Sequence, residues 1–215
     1  RDKLVTGVQT CALPICFHPR KIVTTGDGGM LTYTDAGADA QFRLLRQHGM
    51  SLSDAARHGA GKVVFEDYLV AGFNYRMTDI QAAVGVEQLK RLPEMVSRRR
   101  DLARLYGQAL AALPGVSLQR EPEWARTNWQ SYFIRIEDAA LQVPVMQELL
   151  DKGVGTRRGV MCAHLEPPYA GVWEKGCLPA SEQARDAGII LPLHHEMTPD
   201  DVAYVAECLE KALRR

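Results

Sequence analysis

Pro93 falls inside a long helical pattern, and a proline there limits what the 215 residues can form. Upstream, "NYRMTDIQAAVGVEQLKRL" offers Thr78 and Asp79 as N-caps and reads as a helix from that point. A proline lacks the N–H that a helix interior needs, and its ring clashes with the carbonyl four residues earlier. The helix is therefore expected to end near Pro93, with a second one from about Ser97 to Leu113 and a stop at Pro114-Gly115. Ala82, Ala83 and Gly85 leave little side chain on one side of the first helix, which favours close packing against another element. The break is the candidate domain boundary, separating residues 16–93 from residues 94–215.

The order of elements differs on its two sides. "KIVTTGDGGMLTYTD" gives two β-rich runs, Ile22 to Thr25 and Met30 to Thr34, around a glycine turn able to take positive φ. "AGADAQFRLLRQHG" reads as a helix with Phe42 and Leu45 inward and Gly49 as its stop. Residues 51–68 are polar and non-periodic and are expected to form a long loop, a feature that tends to be functional. Beyond the boundary, "GVSLQRE", "SYFIRIED" and "GVGTRRGVM" read as strands and Val145 to Asp151 as a short helix. Thr198-Pro199-Asp200-Asp201 opens a last helix, whose residues Val202, Val205, Ala206, Leu209 and Leu213 form one inward stripe. The expected class is α/β, with a small α+β domain second.

Composition removes several functions. Lys plus Arg and Asp plus Glu stand at 26 each, which leaves no electrostatic footprint for nucleic acid or an anionic membrane. Arg98, Arg99 and Arg100 form the one basic run and are expected on a solvated helix face. Five cysteines occur without a CxxC pair or a histidine at zinc-ligand spacing, so no metal site is expected. Unpaired thiols suit a reducing cytoplasm. No apolar run approaches the roughly 18 residues of a membrane span. Residues 1–15 show neither helical nor strand periodicity, and "VTGVQTCALPI" resembles a translated sequencing-adapter read, so this segment is expected to be non-native. A junction there would turn a serine codon into the cysteine codon of Cys16.

Lys21 is the candidate for chemistry. It stands between Phe17-His18-Pro19 and a β-rich run leading into the glycine turn, an expected semi-buried place where a lysine can attack a carbonyl and form a Schiff base. "FHPRKIVTTGDGGM" followed by "GFNYRMTDIQAAVGVEQL" resembles the DegT/StrS-type sugar aminotransferases, which are fold-type I pyridoxal 5'-phosphate enzymes. The resemblance runs from about residue 16 to the C-terminus and implies the C-terminal part of such an enzyme: the end of its large domain, then its small domain.

The resemblance implies roles residue by residue. Lys21 corresponds to the lysine that binds the cofactor, and Cys16 takes the place of a serine that contacts its phosphate. Asp27 stands where the family commonly has Glu. Asn74 matches an asparagine reaching the phosphate of the partner subunit's cofactor, which implies a homodimer with shared sites; read alone, it is a turn residue before the helix. Arg76 beside it is either a substrate or a structural cation. "TRRGVMCAHLEPPY" resembles the stretch near the nucleotide-sugar site, so His164 is a candidate substrate contact and as readily a structural histidine. His18 is a weaker candidate for the same site, and His48, His194 and His195 are weaker still, the last two reading as packing or capping residues.

The implied reaction moves nitrogen from L-glutamate to a keto-sugar on a nucleotide carrier, in the setting of polysaccharide or antibiotic sugar synthesis. Retention of Lys21 argues against the family's dehydratase branch, where histidine replaces it. The family places the aspartate that pairs with the pyridine nitrogen, the stacking aromatic and the phosphate loop before the lysine, and residues 1–15 contain none of them. The chain as it stands is therefore expected to be an inactive or poorly folded fragment. An amino-cyclitol synthase with the same cofactor and a non-catalytic dimerisation module are the alternatives.

Overall fold

The computed structural model describes residues 12–52 and 54–214. The chain divides into two compact units, Arg1–Leu92 and Pro93–Arg215.

In the first unit, strand β1 (Ala12–Cys16) pairs antiparallel with β2 (Gly29–Tyr33), with Cys16 opposite Gly29. Two expectations change here. Residues 12–15 carry no strand periodicity, yet they are part of the strand that pairs with β2. The run Ile22 to Thr25 is instead the inside of the loop between the two strands. Its side chains explain why: Ile22, Val23 and Thr25 are buried together with Phe17. The backbone closes over them, with the Phe17 N–H donating to the Gly28 carbonyl at 2.9 Å and the Thr25 N–H to the Phe17 carbonyl at 3.1 Å. Apolar β-branched residues thus fill a loop interior rather than a ladder.

Helix α1 (Ala36–Leu45) begins at Asp35, whose carboxylate accepts the Gly37 and Ala38 N–H groups. Phe42 lies edge-on to Tyr33, with ring centroids 5.2 Å apart. Gly49 does follow the helix at φ 76°, and it is irreplaceable there, because a Cβ would sit 1.9 Å from the Val70 carbonyl oxygen. Among its described residues, the polar stretch after it carries the short helix α2 (Asp54–His58) and an isolated bridge between Met50 and Tyr68.

Helix α3 (Asp79–Leu110) runs for 32 residues with Pro93 inside it, so the expected break is absent. The proline gives up the bond to the Leu89 carbonyl and strains one turn, a cost of about 3 kcal/mol in a helix interior. Burial of Met95, Leu102, Ala103, Tyr106 and Leu110 in the turns beyond offsets that cost. The arginine run is not a solvated face either. Arg99 is only 7% exposed and donates to the carbonyls of Trp129 at 3.1 Å and Leu193 at 2.9 Å. Arg98 reaches the His195 and Met197 carbonyls, and Arg100 grips Glu121 through both carboxylate oxygens.

The second unit continues with β3 (Val116–Leu118), β4 (Tyr132–Ile136), α4 (Gln142–Asp151), β5 (Arg157–Arg158), α5 (Pro179–Ala187), β6 (Gly188–Leu191) and α6 (Pro199–Leu213). Its sheet has the order β3-β4-β6-β5, antiparallel throughout. Ile134, Ile136, Ile189 and Leu191 pack with Val145 and Leu149 of α4 and with Val202 and Leu209 of α6. Tyr106 stacks on Tyr132, centroids 4.7 Å apart, and Trp129 stacks on the same ring at 5.5 Å. The inward stripe of α6 is as expected at Val202, Val205, Ala206 and Leu209, with Cys208 and Ala212 added and Leu213 only partly buried. Thr198 and Asp201 form a reciprocal capping box at its start.

Two elements were not evident in the sequence. β6 is a short apolar run between Gly188 and Pro192, without the alternation that marks a half-buried strand. α5 has almost no apolar stripe. They meet where Gly188 passes the end of α5, and a Cβ on Gly188 would lie 2.1 Å from the Ala184 carbonyl oxygen and 2.3 Å from the Phe133 ring.

Gly188→Ala is accordingly expected to destabilise the second unit by about 1–3 kcal/mol or more, read as a lower denaturation midpoint. Acid should act through carboxylates that the fold holds low, Glu121 and Asp201 among them. Glu121 is held below the usual carboxylate range by the Arg100 guanidinium and then the Thr127 N–H, and Asp201 by the backbone and hydroxyl of Thr198. Groups lowered in the folded state contribute stability that is complete above the ordinary value of about 4 and is lost as pH falls through the lowered one. Asp201→Asn should flatten that acid limb in melting curves taken between about pH 2 and 7.

Candidate functional site

The β1–β2 loop carries the proposed lysine. Lys21 follows a tight turn in which its own N–H donates to the His18 carbonyl at 2.9 Å. The Thr24 hydroxyl donates to the Phe17 carbonyl at 2.9 Å, and the Thr25 hydroxyl to the Asp27 carbonyl at 2.6 Å. The loop is therefore anchored from beneath by Phe17, Ile22 and Val23, while Cys16, His18 and Lys21 stand on its exposed side. The expectation of a semi-buried lysine is corrected: in this chain Lys21 is exposed, while its apolar neighbours Phe17, Ile22 and Val23 are buried.

The glycine turn abuts the start of α3. Gln81 Nε2 donates to the Asp27 carbonyl at 3.1 Å, and a Cβ on Gly28 would lie 2.8 Å from the Met77 methyl. One helical turn on, a Cβ on Gly85 would come within 3.0 Å of the Thr25 methyl, so the small residues of α3 do permit close packing. Asn74 lies just before this helix and is exposed, with its Oδ1 accepting from Arg76 Nε at 3.1 Å. Arg76 thus has a structural use, orienting the Asn74 amide. His18 Nδ1 accepts the Arg20 N–H at 3.3 Å within the loop's own turn.

An exposed primary amine on a rigid, buried base fits a cofactor that binds through an aldehyde. The thiol of Cys16 and the amide of Asn74 are polar groups that can face a phosphate, although a thiol is a weaker donor than a hydroxyl.

His164 belongs to the second unit. It lines a cavity of about 350 Å³ with Met161, Tyr169, Trp173, Leu178 and Ser181. Its Nε2 lies 3.0 Å from Glu182 Oε1, and both side chains are almost buried, at 8% and 10% exposure. Glu182 also accepts the Gly176 N–H on both oxygens, at 2.8 and 2.9 Å. The His164 imidazole and then the Gly176 and Leu178 N–H groups hold its carboxyl below the usual range, against the effect of burial. Sequence reasoning missed Glu182, since a partner 18 positions away leaves no local pattern. It also missed Cys177, whose thiol joins His164 and Glu182 in a group of potential ligand atoms within 4.8 Å of one another. Among the described residues no helix is long and apolar enough to cross a membrane.

The profile of the DegT/DnrJ/EryC1/StrS aminotransferase family matches residues 2–210. That range takes in most of the segment set aside above as adapter-like. An uncharacterized protein of Methanocaldococcus jannaschii, MJ1066, is 30% identical over 200 residues, covering 91% of this chain and 52% of that protein. The aminotransferase TlmJ of Streptoalloteichus hindustanus is similar in structure, with a TM-score of 0.84 at 29% identity, covering 98% of this chain and 54% of that one. DesI, solved in the presence of its TDP-sugar product, gives a TM-score of 0.80 at 29% identity, covering 95% and 50%. The chain spans about half the length of the relatives it matches.

Proposed function

The chain belongs to the DegT/DnrJ/EryC1/StrS aminotransferase family, and from that premise we propose that it forms part of an enzyme transferring an amino group from L-glutamate to a nucleotide-linked keto-sugar, with pyridoxal 5'-phosphate at Lys21. The observation that carries the reading is Lys21 itself, a primary amine on the exposed side of a loop whose underside is buried. The α/β fold is that of part of a fold-type I enzyme.

When bound, the cofactor supplies the electron sink that makes the donor's α-proton removable. The remaining work falls to side chains. Lys21 Nζ would hold the cofactor through its aldehyde carbon and, when free, would act as the base that takes the proton from the donor's α-carbon and delivers it to the cofactor's carbon rather than back to the donor. Cys16, in the place of the family's serine, would contact the cofactor's phosphate. Asn74, its amide oriented by Arg76, serves the phosphate of the cofactor held by the partner subunit in a homodimer. His164 and His18 are the substrate-side residues, His164 from a cavity that Tyr169 and Trp173 make suitable for stacking. The TDP-sugar product of DesI supports a nucleotide-linked acceptor; profiling keto-sugars against keto-inositols distinguishes an amino-cyclitol synthase.

The activity is assigned to a longer protein. Val63, Phe65 and Ile80 are 84%, 86% and 80% exposed, an apolar surface of the first unit that water does not favour. The 215-residue chain alone is expected to show no transamination.

In the longer protein, Lys21→Ala should abolish the visible absorption of the enzyme–cofactor imine and lower the rate by roughly 100- to 10,000-fold. An imine band that persists in this variant would remove Lys21 from its role. Asn74 acting across the dimer has its own signature. Lys21→Ala and Asn74→Ala, each inactive alone, should on co-expression recover roughly one quarter of the sites, since each mixed C2 dimer keeps one intact site. Absence of recovery from purified mixed dimers would place Asn74 in its own chain's site.

A further inference from the structure

Cys177 and Glu182 have no part in the proposed transamination, and with the substrate-side His164 they form a group whose construction calls for a different ligand. The three potential donors are an imidazole nitrogen, a thiol sulfur and a carboxylate oxygen, drawn together from positions 164, 177 and 182. They are held rather than merely near. Glu182 accepts the N–H of Gly176 at 2.8 and 2.9 Å and faces the N–H of Leu178 at 3.4 Å. These residues flank Cys177, so one carboxylate fixes the backbone on both sides of the thiol. The same carboxylate holds His164 Nε2 at 3.0 Å, and the imidazole and carboxylate are 8% and 10% exposed.

We propose that His164 Nε2, Cys177 Sγ and Glu182 Oε1 form a binding site for one divalent cation of the zinc type. Mixed nitrogen, sulfur and oxygen donors select a borderline-soft ion, whereas magnesium and calcium demand oxygen ligands. Tetrahedral bonds of about 2.0–2.3 Å set the donors roughly 3.3–3.8 Å apart. The present span of at most 4.8 Å closes to that by rotation of the exposed Cys177 side chain. Glu182 Oε1 already accepts the Gly176 and Leu178 N–H groups, so the ion takes the place of the His164 bond and of the long Leu178 contact at 3.4 Å, while Gly176 stays bonded. Binding releases the thiol proton to solvent, and the Nε2 proton moves to Nδ1 of the neutral ring or is likewise released. Three protein ligands leave a fourth position for water, which suits an exchangeable ion more than a closed structural one. Because His164 and Leu178 also line the cavity, the bound ion would stiffen its wall. The proposal rests on the second unit alone and is independent of the aminotransferase reading.

Cobalt(II) is the probe, added to the metal-free 215-residue chain. The expected result is one cobalt per chain, with a thiolate-to-metal charge-transfer band and the visible bands of a tetrahedral ion. Cys177→Ser should abolish the charge-transfer band, and Cys16→Ser should leave it intact. His164→Gln and Glu182→Gln should each weaken binding by about tenfold or more. Since Glu182→Gln can loosen the loop, Cys177→Ser carries the decision, its exposed side chain making no contribution to the core. No thiolate band in the wild-type chain, or a band that survives Cys177→Ser, would overturn the site and leave the three residues as a loop clamp.

Discussion

A buried guanidinium organises the second unit. Arg99 lies at 7% exposure with its NH1 group donating to the carbonyls of Trp129 and Leu193. Desolvation lowers its pKa, yet an arginine stays charged, so the charge must be met by oriented carbonyl dipoles. That requirement fixes two loops against α3. It helps hold Trp129 at φ 50°, a left-handed conformation that costs a non-glycine residue about 1–2 kcal/mol. With Trp129 held, its ring stacks on Tyr132, and Tyr132 stacks on Tyr106, whose hydroxyl donates to the Pro192 carbonyl at 2.9 Å. Burial raises the pKa of both tyrosines, that of Tyr132 to about 12, so each stays a neutral donor at any ordinary pH.

The same residues show what a sequence discloses and what it withholds. The last helix was legible because its signals are local: Thr198, Pro199 and Asp201 within one turn, then apolar side chains at helical spacing. The arginine run was misread because charge pattern says nothing of which carbonyls lie opposite, and those carbonyls sit some thirty and ninety residues away, at Trp129 and Leu193. Pro93 was misread for a related reason. A helix-breaking propensity of about 3 kcal/mol is a local quantity, and tertiary burial of the following turns exceeds it. Ile22 to Thr25 has the composition of a strand, but the bond from Phe17 to Gly28 had already closed the loop around it.

The candidate site was legible in a different way. Lys21 was singled out by its sequence setting and given its role by the family resemblance, which also supplied Cys16 and Asn74; their geometry alone is modest: an exposed amine, an exposed thiol and an amide bonded to a neighbouring arginine. Glu182 is the reverse case, silent in sequence and prominent in structure. Its pairing with His164 and with the backbone around Cys177 needs only the fold of the second unit, so it is complete here.

That contrast bears on how the proposed enzyme would be put together. A lysine that binds an aldehyde cofactor works best where water is excluded, and Lys21 is in water in this chain. Its own loop cannot cover it, since Phe17, Ile22 and Val23 are already spent on the underside. Covering it requires surface from elsewhere, and the first unit also presents Val63, Phe65 and Ile80 uncovered. Under the proposed function, drying Lys21 is therefore work for surface outside its own loop.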